Sequence, residues 1–156
     1  MTADSTKIKE VHTKMAAICS RSEQCSPDIM KKIIASGIDG DDAEKIIDQL
    51  KKEKFIDDDR YINSYISEKF RMNKWGKIKI RYYLKMKGLN DELISNALDG
   101  MDQEKYKEAL IKTMREKAGT IKKKNKFEKM GQIIRFAQNR GFEPELIHRY
   151  INLVIE

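Results

Sequence analysis

The sequence is poor in the residues that mark tight turns, linkers, disulfide staples or metal sites. Its 156 residues include only two prolines and eight glycines. A β-rich chain needs turn residues roughly every 8–12 positions, and a linker-rich chain needs more still. Cys19 and Cys25 are the only cysteines and lie six apart. They form no CxxC pair, and two thiols build no disulfide framework, so both are expected to be reduced. The two histidines, His12 and His148, sit at opposite ends of the chain. There is no His/Cys/Asp metal spacing, no glycine-rich phosphate loop and no nucleophile elbow. An enzyme is therefore the least favoured class, and no metal or cofactor is expected. Residues 1–10, MTADSTKIKE, contain no apolar run, and no stretch approaches the roughly 18 uncharged apolar residues of a membrane span. The expectation is a soluble cytoplasmic protein with no membrane partner.

Charge is what the chain has in excess. Charged residues make up 37% of it and apolar residues 40%, against about 25% and 45–50% for an average globular domain. That balance suits amphipathic helices with heavily charged outer faces. The net charge of +7 and pI of about 9.3 point to a polyanionic or acidic partner, or to a well-solvated surface. The charge is uneven. Residues 39–59 carry nine acidic and four basic side chains, residues 60–88 one acidic and nine basic, and residues 105–129 three acidic and ten basic.

A pattern recurs three times, with its glycines 51 and 53 residues apart. Gly37-Ile38-Asp39 leads into 41–47, Gly88-Leu89-Asn90 into 91–94, and Gly141-Phe142-Glu143 into 144–147. Each copy reads as a helix ending on a left-handed glycine, a large apolar residue that folds back, and a new helix with an acidic first turn. Asp39 or Asp41, and Asn90, are candidate N-caps, as is an Asp near 57–58. Ser26 is expected to cap a helix with Pro27 at its first position, and Pro144 suits a first turn.

Upstream helices are expected at 26–36, 76–87 and 126–140. They would bury Ile29, Met30, Ile33 and Ile34; Ile80, Tyr83 and Leu84; and Phe127, Met130, Ile133, Ile134 and Ala137. Further helices are expected at 7–21, 57–73 and 103–117, all with i, i+3, i+4, i+7 spacing. No period-2 pattern competes. The expected fold is all-α: three tandem three-helix repeats, at about 7–54, 55–100 and 101–156, forming an elongated, curved array as a single domain over 1–156.

Four constellations stand out. On helix 76–87, Lys77, Arg81 and Lys85 form an i, i+4, i+8 stripe, preceded by Lys69, Arg71 and Lys74 with Trp75 among them. Such a row can neutralise phosphates, and an aromatic or guanidinium plane can stack on bases; a solvated face with Trp75 in the core is the plainer reading. Ile78, Tyr82 and Met86 form a second apolar row on that helix. It is either packed between two neighbours, which suits a repeat array, or exposed to a protein partner. Lys122, Lys123, Lys124 and Lys126 form a weaker basic run, equally a solvated turn or a phosphate contact. Asp57, Asp58 and Asp59 splay apart on one helical turn and read as a helix N-terminus rather than a metal site.

Phe55-Ile56-Asp57-Asp58-Asp59-Arg60-Tyr61-Ile62 resembles the acidic-pair, Arg, aromatic signature of the RecX family. The segment 76–89, GKIKIRYYLKMKGL, looks like that family's Gly, basic, Ile-Arg, Leu, Lys-Gly-Leu segment, and 91–98 continues the match. Family members often carry Pro where this chain has Lys77, and Glu where it has Tyr83. Cys19-Ser20-Arg21-Ser22 with 31–37 is similar to the first repeat, so the resemblance covers about 15–156. It implies a monomeric regulator of RecA that binds the recombinase–DNA filament, restrains ATP hydrolysis, strand exchange and co-protease activity, and so limits recombination and the SOS response. The site residues under this reading are Lys69, Arg71, Lys74, Lys77, Lys79, Arg81, Lys85 and Lys87, with Trp75 or Tyr82 for stacking and Lys122, Lys123 and Lys124 beside them. A general nucleic-acid-binding protein and a helical adaptor using the Ile78–Tyr82–Met86 row are the alternatives.

Overall fold

The computed structural model describes residues 5–122 and 125–155. Among these, nine α-helices and no strand are present: α1 Ser5–Arg21, α2 Ser26–Ala35, α3 Gly40–Lys52, α4 Asp58–Asn73, α5 Lys77–Met86, α6 Asp91–Asp99, α7 Gln103–Thr120, α8 Lys126–Asn139 and α9 Pro144–Tyr150. A short 3-10 turn, Ile151–Leu153, follows α9. The all-α expectation holds, three helices to each repeat.

The three glycines behave as their spacing predicts. Gly37, Gly88 and Gly141 have φ of 89°, 88° and 95°, in the left-handed region that a Cβ resists. Ile38, Leu89 and Phe142, which follow them, are buried. Asp39 caps α3 through the Asp42 N–H at 3.0 Å. Asp57 accepts from the Arg60 N–H at 3.0 Å, and Asn90 from the N–H groups of Glu92 and Leu93. Ser26 is a correction. It is the first residue of α2, and Cys25 occupies the cap position without a side-chain bond. The Ser26 hydroxyl donates instead to the Asp58 carboxylate, which also accepts the Ser26 N–H at 2.7 Å.

Contacts divide the chain into two compact units. The first is Met1–Tyr65 with Leu84–Ile94, and the second is Ile66–Tyr83 with Ser95–Glu156. The middle repeat therefore contributes to both. In the first unit, α1–α3 close over Met15, Ile29, Ile33, Ala43 and Leu50, and Ile56 completes this core. In the second, α7–α9 close over Tyr106, Leu110, Met114, Ile133, Phe142 and Ile147.

Each unit contains one joint of the same kind, in which the opening of one repeat's middle helix is satisfied by the next repeat. In the first unit, Asp58 takes the Ser26 donors, and Pro27 packs beneath Gly88. In the second, the N–H groups opening α5 have side-chain and carbonyl partners. Gly76 donates to the Arg140 carbonyl at 2.7 Å, Lys77 to the Tyr106 hydroxyl at 2.9 Å and Ile78 to the Gly141 carbonyl at 3.0 Å. These are the orphan donors that every helix start must place.

Three expected core residues lie at the surface: Ile34, Tyr83 and Phe127. Ile34 flanks the narrow stripe whose centre is Ile33. Phe127 is 86% exposed because it stands in the first turn of α8, where the apolar stripe begins before a neighbour covers it. Tyr83 stacks on Trp75, with ring centroids 5.1 Å apart.

Candidate functional site

The basic cluster of the second unit is built where α4 stops and α5 begins. The Trp75 N–H returns to the Lys69 carbonyl at 3.1 Å, and the intervening Lys74 takes φ of 60°. A lysine in the left-handed region is strained relative to glycine. This turn lifts Trp75 into a half-buried position. Its ring lies between Tyr83 and two ammonium groups: Lys69 Nζ is 5.2 Å and Lys79 Nζ 4.8 Å from the centroid. Cations over an indole face are attracted by its quadrupole, so the ring holds both ammonium groups beside it. Trp75 is thus half-buried rather than a core residue, with its ring engaged by Tyr83 and two lysines.

Tyr82 packs its edge on Tyr83 at 5.2 Å and is 58% exposed; Ile78 is 50% and Met86 65% exposed. The expectation that the Ile78–Tyr82–Met86 row packs between neighbours is corrected, since α5 buries only the opposite stripe, Ile80 and Leu84.

The remaining cations differ in their commitments. Lys77 Nζ lies 4.9 Å from the Tyr106 ring centroid. Arg81 donates to the Ser95 hydroxyl at 2.8 Å, and Lys79 reaches the Asn139 carbonyl at 3.4 Å. Arg71 and Lys74 are exposed, and Lys74 Nζ folds back onto the Arg71 carbonyl at 2.9 Å. Both line a groove of about 400 Å³ with Phe70, Lys105, Lys112, Glu108 and Glu116. Lys105 and Lys112 were visible only as part of the net charge of 105–129.

In the first unit, exposed Lys85 pairs with Asp91 at 3.5 Å. Lys87 is different: its ammonium is half-buried on Asp28 at 2.9 Å, 6.0 Å from the Tyr61 ring centroid. The hydrogen bond to Asp28 raises the Lys87 pKa above its ordinary value. Burial pushes the Asp28 carboxyl up, but bonds from Lys87 and the Cys25 thiol outweigh it and hold the carboxyl below its ordinary value. Lys87 therefore locks the first joint. Lys122 is exposed, while Lys123 and Lys124 lie outside the described residues.

Among the described residues, no group of three or more His, Cys, Asp or Glu is placed to hold a metal ion, and no helix is long and apolar enough to cross a membrane.

Fold and surface together define an all-helical protein assembled from three-helix units, with its cations gathered on the second and third. Residues 57–98 match the family described as RecX, second three-helix domain, and residues 104–151 match RecX, third three-helix domain. The chain is 31% identical over 129 residues to the regulatory protein RecX of Chlorobaculum tepidum, covering 82% of this chain and 78% of that one. It is 31% identical over 137 residues to the regulatory protein RecX of Clostridium tetani, covering 86% of this chain but only 62% of the relative's length. The crystal structure of RecX from Lactobacillus salivarius superposes with a TM-score of 0.91 at 19% identity, over 97% of this chain and 98% of that one; this likeness speaks for the fold. The chain belongs to the RecX family of regulatory proteins.

Proposed function

We propose that this chain is a non-catalytic regulator that binds RecA recombinase assembled on single-stranded DNA. It restrains the filament's ATP hydrolysis, strand exchange and co-protease activity, and through them recombination and the SOS response. It acts as a cytoplasmic monomer without a cofactor. Membership of the RecX family carries this reading. The surface supports it: the second unit carries Lys69, Arg71, Lys74, Lys77, Lys79 and Arg81, with Lys69 and Lys79 over the Trp75 ring. A DNA-cored filament presents phosphates and acidic protein surface that such cations attract. Lys85 and Lys122 add exposed charge, whereas Lys87 serves the joint with Asp28.

ATP hydrolysis by RecA on single-stranded DNA, measured with increasing amounts of this protein, tests the reading. Inhibition approaching completion near stoichiometric amounts is expected. An unchanged rate at excess overturns it.

The exposure of Ile78, Tyr82 and Met86 favours a second reading, a helical adaptor for another protein. It requires partner binding that Tyr82→Ala abolishes and that salt barely alters.

A further inference from the structure

A second cationic feature of the second unit lies away from Trp75. Lys77, Lys107 and Arg149 converge on a pocket of about 260 Å³ whose remaining walls are Gln103, Tyr106, Leu146 and Tyr150. Each cation is held on a ring face: Lys77 on Tyr106 at 4.9 Å, and Lys107 and Arg149 on Tyr150 at 5.1 Å and 5.9 Å. Among the described residues, none of the three is ion-paired with a carboxylate.

The floor of the pocket is rigid. Tyr106 is buried, stacks on Phe70 with centroids 5.8 Å apart, and tilts against Phe142 at 5.3 Å. Its hydroxyl accepts the Lys77 N–H at 2.9 Å and donates to the Glu143 carboxylate. The Lys77 backbone is thus fixed at the pocket mouth, and the cations are oriented before any ligand arrives.

We propose that this pocket binds a phosphodiester of single-stranded nucleic acid, with Lys77, Lys107 and Arg149 as its phosphate ligands. Its volume is below the roughly 300–1,000 Å³ of a pocket for a whole drug-sized molecule, and suits one backbone phosphate and part of its sugar. Arg149 supplies a planar fork for two phosphate oxygens, and the two lysines supply compact charges. Tyr150 holds Lys107 and Arg149 on its ring beside the phosphate site. The pocket stands on these contacts alone, whether or not RecA is the partner.

The test titrates the full chain against a short fluorescein-labelled oligothymidine across a range of salt. Lys107→Gln/Arg149→Gln is expected to weaken binding about tenfold or more. The slope of log affinity against log salt should fall by about 1.4, the value for two lost single-strand phosphate contacts. Lys9→Gln/Lys14→Gln removes the same charge from α1 and is expected to change affinity less than about twofold. If the first double variant loses its helical circular dichroism, Lys107→Gln alone carries the comparison, with an expected slope change of about 0.7. Unchanged affinity in the pocket variant, or equal losses in the pocket and α1 variants, overturns the proposal. So does displacement of the oligothymidine by a polyglutamate peptide that matches the unlabelled oligonucleotide, since the pocket would then be an acidic-peptide site. RecA inhibition is read in a separate assay, so either proposal can fail without the other.

Discussion

Gly76 and Gly141 meet backbone to backbone. A Cβ on Gly76 would lie 2.5 Å from the carbonyl carbon and oxygen of Gly141 and from the Phe142 nitrogen. No flexible side chain stands there to yield. Gly76→Ala must therefore part the α5 start from the turn that follows α8, together with the hydrogen bonds joining them. It is expected to lower stability by about 1–3 kcal/mol or more, read as a reduced urea midpoint.

The left-handed glycines are not equivalent. At Gly88 an added Cβ meets Pro27 at 3.6 Å, an ordinary contact, so Gly88→Ala carries only the strain of its φ, about 1–2 kcal/mol. At Gly141 the Cβ would lie 2.3 Å from that of Lys79. Gly141→Ala adds overpacking to strain and is expected to cost more than Gly88→Ala. Paired thermal unfolding of the two variants measures the difference.

The Asp28–Lys87 pair gives stability a defined pH dependence. The Asp28 carboxyl is held below its ordinary value. Its contribution is present above that ordinary value and is lost as pH falls through the lowered one. The Lys87 ammonium is held above its ordinary 10.5. Its contribution is complete below 10.5 and is lost as pH rises through the raised value. Lys87→Met is expected to destabilise the protein by about 1–2 kcal/mol near neutral pH, between the values for exposed and fully buried pairs. The gap from wild type should shrink in strong acid. Urea unfolding at neutral and acid pH checks both.

Lys74 is strained where glycine is not. At φ of 60°, Lys74→Gly is expected to leave stability unchanged or raise it by up to about 1 kcal/mol. It should also weaken filament or DNA binding by removing an exposed cation. Gain in one measurement and loss in the other would mark Lys74 as a residue kept for contact.

Most of the fold was legible because helix ends carry local signals. The Gly–apolar–acidic pattern placed the left-handed turns at 37, 88 and 141, and one turn of sequence gave the cap at Asn90 and narrowed the other to Asp39 or Asp41, of which Asp39 caps α3. The joints were not legible. Asp58 accepting from Ser26, and Gly76 donating to Arg140, link residues 32 and 64 positions apart, and no periodicity encodes them. The cations of α5 were legible as a stripe, but their commitments were not. Lys87 sits in the same basic run as its neighbours, and only the fold brings Asp28 against it, while Arg149 belongs to no basic run at all. Tyr83 and the exposed row of α5 were misplaced for a shared reason: a helix with two apolar rows does not say which one its neighbours cover.

Filament binding is the central claim, and co-sedimentation tests it most directly. The protein is centrifuged with bare single-stranded DNA, and then with RecA filaments on the same DNA, at one salt concentration. Wild type should pellet with the filaments well beyond its recovery on bare DNA, and Arg71→Glu/Lys74→Glu should lose most of that excess while keeping wild-type helicity. Equal recovery with bare DNA and filaments, or an excess that the double variant retains in full, would contradict the account.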